Sequence, residues 1–133
     1  MNDKESDLTQ YRRVRKLLDY ALYLTEYSSH KQQKHSAVIF KHRRVISSAC
    51  NEGIKTHPKA ACTHNKKIDK LHAEIGALRL AGLTSVIGAS MIVARERGRY
   101  SKPCSDCMEK IRESGIKQVI YSDGEGGFQV ERI

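Results

Sequence analysis

The chain has 133 residues, 39% of them hydrophobic, and a formal net charge of +9 from 24 Lys and Arg against 15 Asp and Glu. That length suits one compact domain over residues 1–133, and no apolar run nears the ~20 residues of a membrane-spanning helix. Residues 1–5 carry both signs of charge with no apolar signal core, so the expected location is the cytoplasm, with no membrane partner. The basic surplus favours anionic partners, namely a nucleotide or nucleic acid.

Residues 8–27 are expected to form an amphipathic helix. Val14, Leu17, Leu18, Ala21 and Leu22 recur at helical spacing, and Arg12, Arg13, Arg15, Lys16 and Asp19 take the other faces. A polar loop follows over 28–34. Residues 36–40 and Val45-Ile46 are apolar and β-branched and flank Lys41-His42-Arg43-Arg44, which predicts a hairpin whose second strand runs to about Cys50. Residues 51–70 lack periodicity, and a loop that long in a small domain is usually functional. Residues 71–81 read as a second helix with Leu71, Ile75, Leu78 and Ala81 as its apolar stripe and Gly82 as its stop. A strand over 89–94, a basic loop over 95–102, a helix over 104–114 and a strand over 118–121 follow. The glycine-rich stretch 123–127 then predicts a hairpin to a last, antiparallel strand over 128–133. The strand–helix–strand–helix–strand middle calls for right-handed crossovers and parallel strands. The order as a whole specifies an α/β layer design with a mixed five-stranded sheet.

Two stretches carry chemistry. In His72-Ala73-Glu74 an imidazole precedes a carboxylate by two residues at a helix start, where the dipole favours an anion. In Pro103-Cys104-Ser105-Asp106-Cys107 two thiols stand three apart, so on a helix they share a face. One nitrogen and two sulfurs make three ligands of a tetrahedral Zn2+ and leave the fourth position open, as catalytic rather than structural sites do. Glu74 is then a spare proton carrier. Taken singly, each motif has an ordinary reading. Cys-x-x-Cys serves redox pairs and structural zinc as well, and a lone His72 or Glu74 is common on any helix. Cys50 reads as a small core residue and Cys62 has no assigned role. His35, His42 and His64 read as solvated.

The two motifs in this order and context resemble the cytidine/deoxycytidylate deaminase superfamily over residues 38–121, in the manner of short phage-type deoxycytidylate deaminases. The resemblance implies a three-layer α/β/α cytidine-deaminase-like fold with zinc between two helix N-termini. It implies His72, Cys104 and Cys107 as ligands, Glu74 as proton shuttle, and Asn51 as a sugar contact, with Ala73 beside it in the substrate site. Many members have Glu before Pro-Cys, where this chain has Lys102. The implied reaction is hydrolytic deamination of a cytosine nucleotide, dCMP to dUMP. Polynucleotide deamination, free (deoxy)cytidine deamination and a zinc-stabilised nucleic-acid-binding module are the rivals. An aromatic fraction of 6% with no Trp is thin for base-stacking platforms. For a monophosphate, Lys55, His57 and Lys59 in the long loop, and Arg97 and Arg99 beyond the carboxyl end of a strand, are the candidate phosphate and base contacts. A small domain whose pocket needs a neighbour's loop to close also suggests a homo-oligomer.

Overall fold

The computed structural model describes residues 3–28, 33–42, 44–51, 72–82 and 84–133. Helix α1 (Asp3–Leu24) buries Val14, Leu18 and Ala21. It passes into a single 3-10 turn at Thr25–Tyr27 rather than continuing as α-helix. Strands β1 (His35–Lys41) and β2 (Arg44–Cys50) form the expected hairpin, and His42 at its turn takes φ 57°. Helix α2 (Ala73–Ala81), strand β3 (Ser90–Arg95), helix α3 (Ser105–Ser114), strand β4 (Gln118–Ser122) and strand β5 (Phe128–Arg132) complete the order. The β4–β5 turn is held by the Asp123 carboxylate, which accepts from the backbone N–H groups of Glu125 and Gly127 at 2.7 and 3.0 Å.

The five strands form one sheet in the order β2-β1-β3-β4-β5. Strand β1 is antiparallel to both neighbours, β3 and β4 are parallel, and β5 is antiparallel to β4. Strands β2 and β3 therefore point the same way, as a strand–helix–strand unit requires, but are not adjacent. The crossover through α2 passes over β1.

Strict alternation along β3 divides the core. Ile92 and Ala94 join Val38 and Ile120 under Val14, Leu18 and Ala21 of α1. Met91 and Val93 join Ile39 and Val119 under α2 and α3. The result is a three-layer α/β/α arrangement. On α2 the expected stripe meets the core: Ile75 is buried beside Cys107 of α3, and Leu78 and Ala81 pack against the cluster under the helix, while Leu71 lies outside the described residues. Ala73, Gly76 and Ala77 are buried as well, and their small size lets the helix lie close on the sheet. At the end of α3, Gly115 stops the helix at φ 95°, where a Cβ would stand 3.2–3.3 Å from Ile87. The register His35↔Arg95 and Phe40↔Ser90 defines two ends of the sheet. The starts of α2 and α3 lie at the His35–Arg95 end.

Candidate metal centre and active-site cleft

Helices α2 and α3 each begin on a residue whose side chain is spent elsewhere. His72 is the N-cap of α2 at φ −75°, ψ 141°, and Cys104 the N-cap of α3 at φ −65°, ψ 166°, and neither side chain caps its helix. Their carbonyls already accept the first helical bonds, from Gly76 at 3.0 Å and Met108 at 2.8 Å. The two side chains turn toward each other. The ligand atoms of His72, Cys104 and Cys107 all lie within 4.8 Å of one another. The Cys107 Sγ stands 3.7 Å from His72 Nδ1. Two ligands of a tetrahedral zinc at ordinary Zn–N and Zn–S lengths stand about 3.6 Å apart, so this donor set fits the metal.

Glu74, in the first turn of α2, is only 6% exposed. Burial pushes its carboxyl up to about 7. A hydrogen bond from its own backbone N–H opposes the rise, the charge on Cys104 adds to it, and a hydrogen bond from Cys107 opposes it. A carboxyl near neutrality is suited to taking up and giving back a proton. Glu74, Ala73, His72 and Cys104 line a cleft of about 190 Å³.

Asn51 forms the opposite wall and is held from three directions. Its Oδ1 accepts from the Ser28 hydroxyl and from the His35 backbone N–H at 2.9 Å, and its Nδ2 donates to the Gln33 carbonyl at 2.6 Å. Its own N–H donates to the His35 carbonyl at 3.1 Å. A side-chain amide has two acceptor lone pairs and two donors, and bonds within the described residues use both lone pairs and one N–H of Asn51. On the third side, Ser101 is buried, donates to the Val93 carbonyl at 2.7 Å, and shares a 2.7 Å bond with the Ser122 hydroxyl. This bonding fixes the approach to α3 across the ends of β3 and β4.

The structure gathers Asn51, His72, Ala73, Glu74 and Cys104 around one cleft, with Cys107 at its metal cluster. It does not bring Arg97 and Arg99 to that cleft. Both are exposed, on and just after a 3-10 turn at Glu96–Gly98 in which Arg97 takes φ 62°. Lys55, His57, Lys59, Cys62 and His64 lie outside the described residues. His35 corrects the expectation of a solvated histidine, being half-buried and part of the cleft wall. Lys102 also lines the cleft, and its ammonium stands 3.6 Å from the Glu131 carboxylate on β5. Cys50 is half-buried at the end of β2, and its thiol donates to the Leu24 carbonyl at 2.8 Å.

A family model of the cytidine and deoxycytidylate deaminase zinc-binding region matches residues 12–123. The chain belongs to this family. The deoxycytidylate deaminases of Enterobacteria phages T2 and T4 are each 34% identical to this family member over 71 residues, 52% of the chain. The match takes in about a third of the length of those curated relatives, 34% and 33%. Among solved structures, the chain superimposes on the dCMP deaminase of cyanophage S-TIM5 in apo form with a TM-score of 0.61 at 23% identity, covering 95% of this chain and 89% of that one. It superimposes on a cytidine deaminase of Burkholderia pseudomallei with a TM-score of 0.65 at 21% identity, covering 87% and 89%. At those identities the structural likeness confirms the cytidine-deaminase-like fold. Among the described residues, no helix is long and apolar enough to cross a membrane.

Proposed function

We propose that this chain is a zinc-dependent hydrolase that deaminates a cytosine nucleotide, most specifically dCMP to dUMP with release of ammonia. The observation that carries the reading is the buried Glu74 carboxyl lining the cleft at which His72, Cys104 and Cys107 converge. His72, Cys104 and Cys107 would hold the metal. When bound there, zinc supplies Lewis acidity that lowers the pKa of water from about 15.7 toward about 7.

The remaining work belongs to the chain's own groups. Glu74 takes a proton from water and delivers it to the ring nitrogen N3 as the water oxygen bonds to C4. It then carries the second water proton to the departing amine, the C4–N bond breaks, and uracil and ammonia leave. Water and cytosine thus account for every atom of the products. Ala73, with no side chain beyond Cβ, leaves room for the base, and the remaining N–H of Asn51 is placed for a sugar oxygen. The Lys102 ammonium, on the cleft wall, is the described cation best placed to meet the phosphate. The dCMP deaminase of cyanophage S-TIM5 has been solved with dCMP and dUMP, which supports a nucleotide as substrate. The same proposal includes a single domain over residues 1–133 and assembly of copies around the cleft.

Ammonia release measured side by side from dCMP, CMP, deoxycytidine, cytidine and cytosine-containing oligonucleotide tests this. Turnover greatest with dCMP is expected. Turnover of oligonucleotide with none of dCMP would overturn the substrate, and no turnover of any by zinc-loaded protein would overturn the activity.

A further inference from the structure

We propose that the outer face of α1 is a binding track for single-stranded nucleic acid, leading from the far end of the sheet to the cleft. Arg13, Lys16, Tyr20, Tyr23 and Tyr27 follow one another at intervals of three and four residues, so they stand on one face of the helix and its terminal turn. All five are exposed, the tyrosines at 39%, 52% and 65%. The core-facing residues Val14, Leu18 and Ala21 occupy the opposite side. Other long side chains of α1 are engaged within the fold: Tyr11 packs on Phe128 at 5.3 Å, and Arg15 donates to the Gly126 carbonyl at 2.6 Å. The stripe therefore contains aromatic rings that the core does not use.

Its two ends give it direction. At the far end, Arg13 borders a cavity of about 220 Å³ together with Lys41, His42 and Lys117, and no carboxylate among the described residues lines it. At the other end, Tyr27 precedes Ser28, whose hydroxyl holds Asn51 in the cleft wall. Tyr27 stands 14 positions beyond Arg13, roughly 22 Å at about 1.5 Å per residue in the helix and about 2.0 Å in its terminal 3-10 turn. Cations that meet phosphates and rings that stack on bases are the two components of single-strand binding. Tyr23 and Tyr27 are already set edge-to-face at 5.6 Å with a 2.7 Å bond between their hydroxyls, so this aromatic platform is ordered in advance.

A second copy of this chain fits the face less well. Arg12, Arg13 and Lys16 would need carboxylate partners, and among the residues of α1 and its terminal turn whose side chains are described, the exposed carboxylates are Asp19, already paired with Arg15 at 3.3 Å, and Glu26. A phosphodiester chain offers acceptors at every residue. Of the chain's few aromatic residues, Tyr20, Tyr23 and Tyr27 are exposed together on this surface. The inference stands on this surface alone and holds whichever base or nucleotide the cleft takes.

Fluorescence anisotropy of the zinc-loaded chain with labelled oligothymidylate, at several salt concentrations, tests it. Binding is expected to exceed that of a duplex of equal length. Tyr20→Ser and Tyr27→Ser should each weaken it roughly 5- to 100-fold. Arg13→Gln with Lys16→Gln should flatten the slope of log affinity against log salt by about 1.4. Absence of binding at low salt, or tyrosine variants that bind like wild type, would overturn the proposal. Sedimentation of the same variants supplies the remaining outcome: if they alter the oligomeric state and leave oligonucleotide binding intact, the face is an interface between copies and the proposal fails.

Discussion

Replacing Cys104 with serine should stabilise the metal-free protein and destabilise the zinc-loaded one. Cys104 holds the N-cap position of α3, with extended backbone angles and its carbonyl already bonded to Met108, but its side chain makes no cap bond. Serine is among the best N-cap residues, and gain of such a cap is worth about 1 kcal/mol, within a range of roughly 0.5–2. In a domain of this size that is about 3–5 °C in Tm. With zinc present the sign reverses. Wild type gains RT ln(1 + [Zn]/Kd), about 2.7 kcal/mol at a hundredfold excess over Kd, and a hydroxyl in place of one thiolate forfeits most of it. Urea or thermal unfolding of both proteins, in chelator and in excess zinc, measures the four stabilities. Cys104→Ser should unfold later in chelator and earlier in zinc. A serine variant no more stable than wild type in chelator would refute the cap argument, and an equal zinc increment in both proteins would remove Cys104 from the metal site.

Three further outcomes follow from the packing and the cleft. Gly115→Ala should cost about 1–2 kcal/mol from left-handed backbone alone, and more from the close approach of Ile87, read as a fall in the urea midpoint without a change in slope. Lys102→Met should raise KM for dCMP several-fold and leave deoxycytidine unaffected; an equal effect on both substrates would exclude a phosphate contact. Asn51→Ala removes the side-chain acceptor shared by Ser28 and the His35 N–H and the donor to the Gln33 carbonyl, although the Ser28 hydroxyl keeps the backbone carbonyl of residue 51. Lost hydrogen bonds of this kind cost about 0.5–1.5 kcal/mol each, so both urea stability and kcat/KM should drop, whereas Ser28→Ala should lower kcat/KM by less.

The metal cluster was legible in the sequence because each half is local. Cys104 and Cys107 need only one helical turn to share a face, and His72 and Glu74 need only a helix that starts where theirs does. The alternation of β3 and the spacing of α1 were equally local, and the three layers follow from them. What the sequence left open depends on pairings between distant segments. His35 reaches the cleft only because β1 inserts between β2 and β3, and no periodicity announces which strands become neighbours. Ser28 and Gln33 join the Asn51 network across 23 and 18 residues of chain. The stripe of Ile75, Leu78 and Ala81 was legible, but the burial of Ala73, Gly76 and Ala77 beside it was not, because alanine and glycine look neutral in a hydrophobic pattern, yet here they are what allows close contact. The arginines at 97 and 99 were placed by strand polarity alone, and a turn with a left-handed residue carries them away from the cleft.

The most direct test of the reaction assigned to this chain is to measure bound zinc and ammonia release from dCMP in wild type and Glu74→Gln together. The proposed chemistry predicts one zinc per chain in both proteins, with turnover by wild type and a loss on the order of 100- to 10,000-fold in the variant. A Glu74→Gln protein that retains zinc and deaminates at the wild-type rate would contradict it.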